Sequence, residues 1–120
     1  MSKVLIHLTT GLENPTKAAL AFLIAKTGLE EGHTVTMFLA GDAVTLLRTE
    51  SVESVVGIGT GALSSHVAAI KASAAEVYYS GLSAKARGVT HDQLSLDKAQ
   101  PAQPAKLLEL AAEADFVLSY

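Results

Sequence analysis

The sequence predicts an α/β fold, a parallel sheet with helices on both faces, and three observations carry that prediction. Apolar, β-favouring runs alternate with segments of helical period in the order β-α-β-α-(β)-α-β-α-β, and strands interleaved with helices form parallel sheets. The first two runs, Lys3 to Thr9 (KVLIHLT) and Thr34 to Ala40 (TVTMFLA), are nearly continuous apolar sequence, as strands covered on both faces are. Glycine, proline and asparagine stand at the junctions, where turns and caps require them.

The elements follow in order. Thr9 to Pro15 is a turn in which Asn14 is an N-cap and Pro15 takes the first helical position. The helix runs from Pro15 to about Glu31 and stops at Gly32. Its segment Ala18 to Ala25 is apolar all the way round. A helix outside a sheet needs only one apolar stripe, so this one is expected to be covered twice, the second cover coming from another subunit. Gly41-Asp42 ends the second strand, and Ala43 to Arg48 reads as a short helix. Val52 to Ile58 reads as a third strand, and Ser64 or Ser65 caps a helix to about Ser73 whose core face is Leu63, Val67, Ile70 and Ala74. Glu76 to Tyr79 is the next strand. Val89 to Gln100 has no clear period and reads as loop with a single turn. Gln103 and Pro104 open a last helix with Leu107, Leu108, Ala111 and Ala114 inward, and Phe116 to Tyr120 is the closing strand.

Composition bounds the function. The 120 residues are enough for one domain, residues 1–120, with a proper core. Hydrophobic residues make up 49% and charged ones 18%, which excludes a disordered chain. A net charge of −3 gives no electrostatic reason to expect nucleic acid. No apolar run reaches the roughly 18 residues of a membrane span, and no signal-peptide layout precedes the first strand, so no membrane association and a cytoplasmic location are expected. The sequence has no cysteine. That removes disulfides, thiolate metal sites and any cysteine nucleophile.

Few motifs carry chemistry. Gly57-Ile58-Gly59-Thr60-Gly61-Ala62 fits G-x-G-x-x-A but is not at the first βα turn, and reads as a loop. His7, His33, His66 and His91 lack metal-ligand spacing, and no metal or cofactor is expected. His7 reads as a neutral residue of the first strand, His33 as a surface or cap residue and His66 as an interface residue, while His91-Asp92 joins a site only if its loop folds over the corner formed by Val77 to Thr90. That stretch, VYYSGLSAKARGVT, is the strongest candidate. A strand ends at Ser80-Gly81, a short helix follows to Arg87, and Gly88 stops it. Ligands of open α/β sheets sit at this carboxyl edge, helix-start amides favour anions, and Lys85 and Arg87 add positive charge. The elbow G-x-S-x-G of serine hydrolases is absent around Ser80.

KVLIHLTTG, ENPTKAALAF, FLAGDAV and VYYSGLSAKARGVT together resemble the DsrE-like (DsrE/DsrF) group of sulfur-relay proteins over most of the chain. The resemblance implies an α/β/α sandwich on a parallel five-stranded sheet and assembly as a homo-oligomer, a trimer or hexamer. It also implies a persulfide carried between partner proteins on a cysteine at the end of the fourth strand. Ser80 stands at that position here. A hydroxyl cannot hold a persulfide, so persulfide transfer is excluded. What remains expected is a polar pocket of Thr9, Thr10, Gly11, Asn14, Gly41, Asp42, Ser80 and Gly81, with Lys85 and Arg87 supplying charge. It would take a small anionic or sulfur-containing ligand in an accessory subunit, with a sulfur-relay protein as partner. No residue is assigned as catalytic. The alternative is an enzyme in the same pocket with His7 or Asp42 as acid–base group, which requires one of them within reach of Ser80.

Overall fold

Alternation along the strands decides which layer each side chain joins. A computed structural model describes residues 1–120. In chain order the elements are β1 (Lys3–Leu8), α1 (Pro15–Glu30), β2 (Thr34–Leu39), a 3₁₀ turn (Gly41–Leu47), α2 (Thr49–Ser54), β3 (Val56–Gly57) and β4 (Gly61–Ala62). There follow α3 (Leu63–Lys71), β5 (Glu76–Ser80), α4 (Gly81–Ala86), a second 3₁₀ turn (His91–Gln93), β6 (Gln100–Ala102), α5 (Pro104–Glu113) and β7 (Phe116–Ser119). The main sheet is five-stranded and parallel, in the order β6-β5-β2-β1-β7. The fold is therefore the expected α/β one, with helices flanking the sheet. Connections that step from β1 towards β6 run over one face. The connection through α5 reverses direction, and right-handed crossover then puts α5 on the other face.

Val4, Ile6, Leu8, Val35, Met37, Leu39, Val77 and Tyr79 point into the main core under α1 and α3. Leu5, Thr36 and Glu76 point the other way, beneath Leu110 and Glu113 of α5 and Ala114 just past its end. Asn14 caps α1 as expected, its Oδ1 accepting from Lys17 N–H at 3.0 Å, with Pro15 following. Gly32 closes the turn beyond α1 at a φ of +85°, which a glycine adopts without strain.

Three expectations are corrected. Val52 to Ile58 is not a sheet strand. Val52 belongs to α2 and Val55 follows it, both turned into the core, while Val56–Gly57 pairs antiparallel with Gly61–Ala62 as a two-residue hairpin. The fifth sheet strand is instead Gln100–Ala102, at the end of the stretch Val89 to Gln100 that reads as loop; an edge strand tolerates the missing N–H of Pro101. The second cover of α1 comes from its own chain. The hairpin lies along α1, with Ile58 N–H donating to Thr16 Oγ1 at 3.0 Å and Thr60 Oγ1 donating to the Thr16 carbonyl at 3.0 Å. A Cβ at Gly57 would run into Thr60 Oγ1 and crowd Ala19, so the glycine-rich stretch serves close helix packing. Ala18, Ala19, Ala21, Phe22 and Ala25 are all completely buried within one chain.

Smaller differences have local causes. α3 starts at Leu63, behind Ala62, so neither Ser64 nor Ser65 caps it. Leu108 is exposed and Leu110 faces the sheet instead, because α5 begins at Pro104 and its inward stripe falls on 107, 110, 111 and 114. Gln103 precedes Pro104 but makes no capping bond. His66 is buried in α3 with Nε2 2.7 Å from the Thr60 carbonyl and Nδ1 without a partner. Since a carbonyl only accepts, the ring proton sits on Nε2.

Candidate functional site

β1, β2 and β5 are neighbours, so the loops after Leu8, Leu39 and Ser80 converge on one edge. Thr9 is tied to the end of β7: its N–H donates to the Tyr120 carbonyl at 3.0 Å and its hydroxyl to the same oxygen at 3.3 Å. Thr10 is buried, and Gly11 N–H donates to Glu13 Oε1 at 2.7 Å. Gly11 lies against the Asp42 carbonyl so closely that a Cβ there would overlap it. That glycine is what lets the first two loops touch.

The second and third loops are joined by side chains. Gly41, at a φ of +57°, donates its N–H to Ser83 Oγ at 2.8 Å. Asp42 Oδ1 accepts from Arg87 Nε at 3.2 Å and Nη2 at 3.1 Å, and Arg87 Nη1 donates to the Ser83 carbonyl at 3.2 Å. Ser80 is 8% exposed and its Oγ accepts from Ser83 N–H at 3.1 Å, so it is the N-cap of α4. The predicted pocket residues thus do assemble, but largely by bonding one another. Asn14 acts as an acceptor to α1, and the Arg87 charge is matched by Asp42.

Lys85 stands apart. It has no carboxylate partner, and it lines a groove of about 360 Å³ between α4 and β6 together with Tyr79, Gly81, Ala84, Gly88, Val89, Thr90 and Pro101. Tyr79 is 5% exposed, and burial pushes its phenol pKa above the usual value. Its hydroxyl lies 3.2 Å from His91 Nδ1, and the two rings stack with centroids 6.4 Å apart at 28°. Where the hydroxyl donates to Nδ1, the remaining ring proton is on Nε2. The loop carrying His91 does fold back at the corner, and it docks on Tyr79. Tyr79 and Thr90 were not among the candidates; a tyrosine inside an apolar strand carries no signal beyond core packing. His91 was legible as conditional on its loop.

His7 and Asp42 do not reach Ser80 by hydrogen bond. Asp42 is engaged by Arg87. His7 is on the α5 side of the sheet, edge-on to Phe38 with centroids 6.2 Å apart, and partial burial holds its pKa below 6.5. Its ring makes no hydrogen bond.

Taken together, these features define a thiol-free α/β protein with a self-capped corner at the sheet's carboxyl edge and one cationic groove beside it. The model of the DsrE/DsrF-like family matches residues 2–120, and the chain belongs to that family. Among solved structures it is similar to the YchN protein from E. coli, with a TM-score of 0.83 and 20% identity over 100% of both chains. It is similar also to MTH1491, a protein of unknown function from Methanobacterium thermoautotrophicum, with a TM-score of 0.74 and 14% identity over 100% of both chains. At these identities the likeness is one of fold. No curated protein sequence matches the chain. No helix is long and apolar enough to cross a membrane.

Proposed function

We propose that this chain is an accessory, ligand-binding member of the DsrE/DsrF-like family that does not itself carry persulfide. It would hold a small oxyanion or sulfur-containing anion in the groove beside α4, as part of a homo-oligomer serving a sulfur-relay partner in the cytoplasm. Absence of cysteine removes the only side chain able to bear the persulfide. The observation that carries the ligand reading is Lys85. An ammonium without a carboxylate partner lies on a groove that Tyr79 and Thr90 also line. A charge-assisted hydrogen bond to such a cation is worth about 1.5–3 kcal/mol. Ser80 and Arg87 support the reading differently, by holding α4 in place.

Thiosulfate and sulfate serve as probes in a backbone-amide chemical-shift titration. Saturable shifts at Gly81, Lys85, Gly88 and Thr90 are expected, weakened about tenfold or more in Lys85→Ala. Absence of saturable shifts, or equal affinity in the variant, removes the anion reading. Native mass spectrometry of the same sample reads subunit number and any co-purified small molecule.

One observation favours a second reading, an enzyme using this edge. Tyr79 lines the groove and its hydroxyl meets His91 Nδ1 at 3.2 Å as an acid–base pair, whereas His7 and Asp42 make no such pair with Ser80. It predicts that a bound molecule is consumed, and that His91→Asn stops consumption without releasing it.

A further inference from the structure

Edge strand β6 begins to pair with β5 only at Tyr78, opposite Gln100. The start of β5 runs past it, and a notch of about 160 Å³ opens there, lined by Ala75, Glu76, Val77, Tyr78, Lys98 and Gln100. Lys98 is half-buried and has no carboxylate partner. Its Nζ donates instead to the Ile70 carbonyl at 2.8 Å and the Ser73 carbonyl at 2.9 Å, at the carboxyl end of α3. Two acceptors serve a neutral amine fully. Its two hydrogens meet the two carbonyls, and the lone pair is the one position turned away from α3. Burial agrees, pushing the amine pKa below the ordinary lysine value. Glu76 and Tyr78 are bonded to each other on the same notch, the Tyr78 hydroxyl donating to Glu76 Oε2 at 2.6 Å. That bond, with burial, raises the phenol pKa to about 12, so Tyr78 keeps its proton.

We propose that Lys98 is a Schiff-base site, taking small, uncharged aldehydes in this notch. A desolvated lysine amine is the side chain suited to that chemistry. The nitrogen lone pair forms a bond to the carbonyl carbon, the C–O bond breaks, and the oxygen leaves as water with both amine hydrogens. A proton taken back from solvent turns the imine into an iminium. The iminium keeps one N–H for the Ile70 or Ser73 carbonyl, and it keeps the positive charge that a helix carboxyl end favours. An acyl group would also leave one N–H but would remove the charge, so the surroundings of Lys98 suit a carbonyl compound better than an acyl donor. The Glu76 carboxylate on the notch favours the cationic product and repels an anionic aldehyde. The volume of the notch admits only a small molecule. This site lies at the amino end of β5, whereas the Lys85 groove lies at its carboxyl end, so the two are independent.

Reductive trapping tests the site. The folded wild-type chain is treated at neutral pH with propanal and cyanoborohydride, which fixes each imine as a stable secondary amine, and peptide mapping by mass spectrometry reads the rate at every lysine. Lys98 is expected to react several-fold faster than the exposed Lys3, Lys17, Lys71 and Lys85, and the preference is expected to vanish in urea. A Lys98 rate no higher than theirs overturns the proposal, as does a preference that survives unfolding. Glyoxylate, an aldehyde bearing a negative charge, should show no preference for Lys98; an equal preference overturns the assignment to uncharged aldehydes. Lys98→Arg keeps donors for the two carbonyls but cannot form an imine, so the fast phase of trapping should disappear. A fast phase that persists in this variant overturns the assignment to Lys98. The measurement in the wild type decides even if the variant does not fold. Anion-induced shifts at Gly81 and Thr90 do not enter this readout, so the two readings fail separately.

Discussion

Phe22 and Leu110 lie in helices on opposite faces of one sheet, and their surroundings differ in kind. Phe22 is completely buried, in a core cluster that includes side chains of β1, β2 and α3. Leu110 is partly exposed, and no residue of α5 is buried. The reason is coverage. The α1 face is roofed by α1 and α3 and then by the hairpin on α1, while the other face has one ten-residue helix over Leu5, Phe38 and Tyr78. Stability is therefore concentrated on one face, and the second layer is thin. Lys106 contributes there through its stem and its ammonium, which sits 5.2 Å from the Tyr78 ring centroid, an interaction worth roughly 0.5–1 kcal/mol at exposed sites.

Substitutions can break this asymmetry. The largest effect is expected at Phe22→Ala, a loss of about 3–5 kcal/mol for a buried aromatic whose cavity cannot collapse. Urea unfolding measures it, and a loss below about 1.5 kcal/mol would mean the α1 face is no better packed than the other. Leu110→Ala comes next, at about 1 kcal/mol, because only part of its apolar surface leaves water; a loss as large as that at Phe22 would erase the contrast.

The smallest effect is a pH dependence at His7, on the thin face. Partial burial lowers its folded pKa below the ordinary 6.5. The unfolded chain then binds more protons as pH falls through 6.5. Stability from the neutral ring is present above that pH and is lost as pH drops through the folded pKa. Wild type should accordingly lose stability relative to His7→Gln between neutral pH and the folded pKa, as read by thermal unfolding across that range. A flat difference would place His7 in a setting like water, and the α5 face would be thinner still.

The carboxyl corner shows how much of the site was legible. Ser80, Gly81, Gly41, Asp42 and Gly11 do come together, since three adjacent parallel strands must end on one edge. What was not legible was how they spend their hydrogen bonds. Arg87 reads as a free charge until Asp42, 45 residues away, is seen to engage it. Lys85, two residues earlier, lies on a different groove. Helical spacing gives the relation between those two positions, but not which of them meets an acid from another loop.

By itself the sequence determined the fold class, the span and cap of α1, the end of β5 at Ser80 and the absence of any thiol. These follow from local periodicity, from the turn chemistry of single residues and from composition, none of which needs a distant partner. Tertiary structure alone decided that Gln100–Ala102 rather than Val52–Ile58 completes the sheet, that the glycine-rich hairpin covers α1, and that the Arg87 charge is paired while that of Lys85 is not. Each of those is a pairing between segments far apart in the chain. Val52 and Val55 favour a strand locally, but helical spacing turns both into the same core, and the burial gained there outweighs a β-propensity that spans only about 1 kcal/mol.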